Sequence, residues 1–277
     1  MTDKPIQINI DEIIRSKNPK LLKQIPRFIL NWFKRFIHQD YINEILRKGH
    51  GTEGKEFVDV VFNELKINII CHGLEHIPRD GGCVLAANHP LGGIDGMALL
   101  KGASEVRNDL IFLANDILMN IKPLSPYFIA VNKVGKSDRN NLAQITQAYS
   151  SGKCVLIFPS GYVSRKIEGQ ITDLDWQKSV VVKCRQNNLP LVPVFIDGRN
   201  TERFYRISTI RKIFGIKVNF EMFTLPDEMF KARGKDIHIY FGKPITPDKL
   251  AQGNPFEIAQ KVKKIVYLLK GNLLTEY

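Results

Sequence analysis

The stretch Leu85-Ala86-Ala87-Asn88-His89-Pro90-Leu91-Gly92-Gly93-Ile94-Asp95-Gly96-Met97 starts in an apolar run and ends in an apolar helical pattern. It reads as a buried strand delivering a His into a turn, with an Asp at the mouth of the next helix. Gly92 and Gly93 permit backbone conformations closed to other residues, so the chain can fold Asp95 back toward the His89 ring. Two readings of that pair stand side by side. In one, Asp95 orients His89 as a general base, like the upper half of a Ser-His-Asp triad. In the other, His89 only caps a turn and Asp95 is a helix N-cap. No Ser or Cys nucleophile accompanies the pair, so in the first reading the nucleophile belongs to the substrate.

Working outward, the chain from residue 67 onward alternates short apolar strands with helices. Strands are expected at 67–71, 83–87, 110–114, 154–158, 191–196, 218–222 and 237–241, and helices at 96–102, 141–150 and 175–187. Asn254 and Pro255 open a last helix. This alternation predicts an α/β fold, a mostly parallel mixed sheet flanked by helices, whose sites form at the carboxyl ends of strands. Residues 1–66 instead form an N-terminal helical segment, set apart from an α/β domain over 67–277. Within it Ile25, Phe28, Ile29, Trp32, Phe33, Phe36 and Ile37 recur at helical spacing, with Arg27, Lys34, Arg35 and His38 between them. An aromatic face opposite a basic face suits either a membrane interface or the protein's own core.

Forty Lys and Arg against 28 Asp and Glu leave a net charge of +12, which draws the chain toward anionic surfaces, phospholipid or nucleic acid. No nucleic-acid recognition motif appears, and the basic residues interleave with apolar helical faces, which favours the lipid. The basic segment Arg199–Lys217 is a second membrane-contact candidate. No apolar run approaches the roughly 18 residues of a membrane span, and the first residues lack a signal-peptide pattern. The four cysteines show no Cys-x-x-Cys spacing, and the six His show no ligand spacing beside paired Cys or carboxylates, so no metal is expected. These bounds suit a cytoplasmic protein, peripheral on the inner face of a membrane.

A second strand end, Phe158-Pro159-Ser160-Gly161-Tyr162-Val163-Ser164-Arg165, presents a Ser-Gly turn followed by a cation. Alone it is either an anion cradle or a solvated turn. A third, Pro193-Val194-Phe195-Ile196-Asp197-Gly198-Arg199-Asn200, is followed by Phe204-Tyr205. Together the three ordered blocks resemble the glycerolipid (lysophosphatidate-type) acyltransferase superfamily. The likeness is closer to its hemolysin-like, lyso-ornithine-lipid O-acyltransferase branch, and it covers residues 71–241.

The resemblance implies that His89, held by Asp95, deprotonates the hydroxyl of a lysolipid acceptor. That acceptor is an amino-acid lysolipid or lysophosphatidate. Its oxygen then attacks the thioester of acyl-acyl carrier protein or acyl-CoA, with no bound cofactor. Substrate contacts are expected from Asn88, Gly92 and Gly93, from Phe158, Pro159, Ser160, Gly161, Ser164 and Arg165, and from Lys133 and Arg199. The oxyanion donors are expected among the backbone N–H groups of 158–161. The chain departs from the superfamily pattern at three points. His89 and Asp95 are separated by five residues, one more than is common, a gap that the hemolysin-like branch shares; Ser160 stands where a Glu is usual; Lys133 stands where an Arg is usual. The missing Glu motivates a different reading, a catalytically inactive membrane-surface binding protein that retains the fold.

Overall fold

The computed structural model describes residues 7–114, 121–130, 139–216 and 218–271. Five helices come first: α1 (Ile10–Lys17), α2 (Pro19–Gln24), α3 (Arg27–Phe36), α4 (Gln39–Lys48) and α5 (Gly54–Leu65). The alternating part runs β1 (Asn68–His72), β2 (Cys83–Ala87), α6 (Gly93–Ser104), β3 (Leu110–Ala114), β4 (Phe128–Ala130), α7 (Arg139–Ser150) and β5 (Cys154–Ile157). A hairpin of β6 (Arg165–Ile167) and β7 (Gln170–Thr172) follows, then α8 (Ser179–Gln186), β8 (Leu191–Ile196) and α9 (Glu202–Ile213). The chain continues through α10 (Leu225–Lys231), β9 (Asp236–Phe241), α11 (Pro247–Ala251) and α12 (Pro255–Leu268).

Seven strands form one sheet in the order β1-β9-β8-β2-β5-β3-β4. Every neighbouring pair is parallel except β8–β9, which is antiparallel. The α/β class and the mostly parallel mixed sheet read from the sequence are therefore those observed. β2 lies near the middle and is buried along its whole length, as a strand covered on both faces must be. Cys83, Leu85 and Ala87 face the layer of α5 and α6. Val84 and Ala86 face the layer of α8 and α12. Because β2 is flanked by β5 and β8, its carboxyl end emerges between theirs.

The expected strand at 218–222 is not a strand. Phe220–Thr224 is a 3-10 turn. Val218, Phe220 and Met222 alternate with polar residues, yet Phe220 is exposed and Glu221 is the buried residue. Arg165 and Arg211 draw Glu221 in through ion pairs of 2.9 and 3.0 Å. α4 and α5 contribute Ile45, Leu46, Phe57, Val58, Val61, Phe62 and Leu65 to the core that holds β2 and α6. By contrast, α3 buries none of its residues.

Candidate active site

β2 ends at Ala87 and hands Asn88 and His89 to the turn. Asn88 is buried, and its amide closes both hydrogen bonds on the main chain of Ile196: Nδ2 donates to the carbonyl at 3.0 Å and Oδ1 accepts from the N–H at 2.6 Å. The side chain therefore splices the end of β2 to the end of β8.

After Pro90 the chain reverses at Gly92, whose φ of 85° lies in the region that favours glycine. Leu225 of α10 packs where a Cβ would stand, 3.1 Å away. Gly93 keeps an ordinary φ and simply opens α6. The first turn of α6 places Asp95 fully buried beneath the loop. Its Oδ2 accepts from the N–H of Leu91 at 2.7 Å and of Gly92 at 2.9 Å, and meets His89 Nδ1 at 2.9 Å. The N-cap of α6 is Gly92, and Asp95 stands at the third helical position, from which its carboxylate meets both the N-cap N–H and the His89 ring. Burial pushes the Asp95 carboxyl above the usual range, opposed by the hydrogen bond from His89 and the two backbone N–H groups.

With Nδ1–H directed at Asp95, Nε2 of His89 is the nitrogen left to accept a proton. The side chain is 17% exposed. Phe158 stacks on the ring at 4.0 Å between centroids and 12° between planes, and Phe112 backs Phe158 at 5.4 Å. Phe158 is therefore the plate against which the imidazole lies.

The turn after β5 is tight. Gly161 adopts a φ of 66°, and its N–H is taken up by the carbonyl of Phe158 at 2.9 Å. Pro159 has no N–H, and its carbonyl accepts from Gln177 at 3.0 Å. The buried Ser160 hydroxyl donates to the carbonyl of Tyr162 at 2.8 Å. Ser164 donates its N–H to the carbonyl of His89 at 2.7 Å and its hydroxyl to Asp173 at 2.6 Å. Arg165 turns inward, binding Glu221 at 2.9 Å and lying over the Phe204 ring at 5.1 Å. Of this block Phe158 and Ser164 touch His89, while Arg165 pairs inside the fold with Glu221, a carboxylate it shares with Arg211.

Arg199, 65% exposed, pairs with Glu202 at 3.2 Å and does not join the group around His89. Lys133 lies outside the described residues. Three residues escaped the sequence reading. Asn200 donates to the carbonyl of Pro90 at 3.0 Å. Gly198 has Leu91 lying against it, 2.6 Å from where a Cβ would be. Asp173 accepts from the N–H of His89 at 3.2 Å. Gly198 and Asn200 belong to the third block, whose spacing could have signalled them. Asp173 follows a hairpin and carries no signal. Among the described residues, no three His, Cys, Asp or Glu side chains gather as a metal site.

The family model described as acyltransferase matches residues 12–275. The lyso-glycine lipid O-acyltransferase of Bacteroides thetaiotaomicron is 37% identical over 274 residues, covering 97% of this chain and 100% of that protein. The protein of the same name from Phocaeicola vulgatus is 38% identical over 275 residues, covering 97% and 98%. Among solved structures, the 1-acyl-sn-glycerophosphate (LPA) acyltransferase PlsC of Thermotoga maritima is similar with a TM-score of 0.49 and 17% identity. That match covers 90% of this chain and 98% of that one.

Proposed function

We propose, for a chain that belongs to the acyltransferase family and is an acyltransferase, that it moves a fatty acyl group onto the hydroxyl of an amino-acid lysolipid. The observation that carries this reading is the His89–Asp95 contact, with Nε2 turned away from the carboxylate. Nε2 takes the proton of the acceptor hydroxyl, and the oxygen attacks the carbonyl of an acyl thioester, acyl-acyl carrier protein or acyl-CoA. Asp95 stabilises the imidazolium so formed. The tetrahedral intermediate collapses with cleavage of the carbon–sulfur bond, and Nε2–H returns the proton to the leaving thiolate. General-base assistance of this kind supplies roughly 10²–10⁴-fold. Since Gly161 has its N–H engaged and Pro159 has none, the N–H groups of Phe158 and Ser160 are the candidate oxyanion donors within that turn.

An amino-acid headgroup, as in the names of the two relatives, is favoured over lysophosphatidate because Arg165 is committed to Glu221. The motif around Phe158–Arg165 supports reading the chain alongside the hemolysin-like, lyso-ornithine-type branch. Incubating the purified protein with labelled acyl thioester and a panel of lyso-glycine lipid, lyso-ornithine lipid and lysophosphatidate should yield a diacyl product with an amino-acid lysolipid. His89→Ala should lower that rate by roughly 10²–10⁴-fold. No product from any acceptor would favour the inactive surface-binding protein, and an undiminished rate in His89→Ala would remove the base.

Access to such a substrate is proposed to come from an anionic leaflet. No helix among the described residues is long and apolar enough to cross a membrane. Instead α3 and the stretch after α9 meet on one side, with Phe33 edge-on to Phe223 at 6.3 Å and the Arg203 guanidinium over Phe36 at 5.2 Å. Between them Trp32, Phe36, Ile207 and Phe220 help line an open groove of about 600 Å³. Phe28, Trp32, Ile213, Phe214, Phe220 and Phe223 are exposed, and so are Arg27, Arg35, Arg206 and Lys212. Aromatic side chains interleaved with cations fit the headgroup boundary of anionic lipid on the cytoplasmic side.

A further inference from the structure

We infer that Asp173 is the positioning residue of the acyl-transfer base, holding the backbone of His89 so that its ring meets the substrate; this rests on the reading of His89 as that base. Asp173 is fully buried and lies one residue beyond β7, outside every block that the motifs define. A buried carboxylate costs several kcal/mol unless its oxygens are satisfied, and here they are. Oδ1 accepts from the Ser164 hydroxyl at 2.6 Å and from the His89 N–H at 3.2 Å, while Oδ2 accepts from Trp176 Nε1 at 2.9 Å. The main chain of Asp173 is tied to α12: its N–H donates to the Tyr267 hydroxyl at 2.8 Å and its carbonyl accepts from Lys263 Nζ at 2.5 Å.

The contacts close a ring. His89 gives its N–H to Asp173, Asp173 takes the hydroxyl of Ser164, and Ser164 returns its N–H to the carbonyl of His89 at 2.7 Å. Both peptide groups flanking the His89 Cα are thereby held, and Asp95 and Phe158 hold the ring. His89 is oriented from two ends by two different carboxylates, one acting on its backbone and one on its imidazole. All three partners of the Asp173 carboxylate are donors, so an amide cannot replace it. The amide introduced by Asp173→Asn would turn an N–H group toward at least one of them, leaving two donors facing each other. Misplacing a reacting group by about 1 Å costs about 10²-fold in rate.

The test is Asp173→Asn in the full chain, assayed for acyl transfer per folded molecule. The expected result is a kcat lower by about 10²-fold with the acceptor KM little changed, and a shifted proton resonance of the His89 Nδ1–H. Asn254→Ala removes the N-cap bond of α12, in which Oδ1 accepts from the Phe256 N–H at 2.8 Å, and touches no member of the ring. It should lower Tm and keep kcat, separating positioning from stability. Should Asp173→Asn fail to fold, Ser164→Ala opens the same ring from the other side, and kcat should fall in the same sense. Wild-type kcat per folded molecule with an unmoved Nδ1–H resonance, in whichever of these two variants folds, would overturn the role of Asp173. If wild type itself forms no diacyl product, the acyl-transfer reading falls, and the resonance alone decides whether Asp173 places His89.

Discussion

His89 sits where three strand ends meet, and each neighbour restrains it differently. Asp95 fixes the tautomer, Phe158 fixes the plane of the ring, and Asn88 fixes the strand that carries it. Asn88→Ala leaves both the N–H and the carbonyl of Ile196 unpaired in a buried place. It should therefore cost about 2 kcal/mol of stability, read as a drop in Tm. An unchanged Tm would mean that β2 and β8 do not need the splice. The contact between His89 and Asp95 was legible in the sequence because both lie in one short loop opened by a glycine with positive φ. The roles of Asn88, Ser164 and Arg165 were not. Residues of those types bind substrates as readily as they close buried hydrogen bonds, and only the partners decide. For Arg165 the decisive partner is Glu221, 56 residues away.

At the scale of elements, β2, β3, β5 and β8 were legible because strands covered on both faces become continuous apolar runs. The turn at Phe220–Thr224 was misread because exposed aromatics there imitate an inward face. The joint between α3 and α4 shows how the outer helices are held. His38 adopts a φ of 56° between them, and its Nε2 meets Asp227 of α10 at 2.8 Å. Arg203 and Lys231 bind the same carboxylate. Burial works to raise the Asp227 carboxyl, but the hydrogen bonds from His38, Lys231 and Arg203 override it and hold it at about 2, below its ordinary 3.8. A carboxyl depressed by folding stabilises the native state above its ordinary value, and the gain is lost as pH falls through the folded one. Asp227→Asn should therefore lower Tm above pH 3.8, and the gap to wild type should close as pH falls toward 2. A gap independent of pH in thermal melts would assign the joint to the packing of His38 on Phe230 instead.

For the whole molecule, whose net charge is +12, the exposed aromatics of α3 and of the segment after α9 converge on one side, among the exposed cations of α3 and α9. Composition alone left phospholipid and nucleic acid open; the convergence of the two segments in space could not be seen from residues so far apart in the chain. The protein should cosediment with vesicles containing anionic lipid. Binding should weaken as salt passes about 0.1 M, where charges are screened beyond about 10 Å. The double variant Trp32→Ala, Phe223→Ala should release it further, and vesicle binding indifferent to both salt and these residues would remove the face. The brace behind His89 also has a consequence in time. Asp173 follows His89 by 84 residues, and Tyr267 follows Asp173 by 94. During synthesis the His89–Asp95 pair leaves the ribosome long before α12 exists to anchor the segment that holds it. A nascent chain therefore carries the His89–Asp95 pair before the contacts that hold the His89 backbone in the finished fold can form.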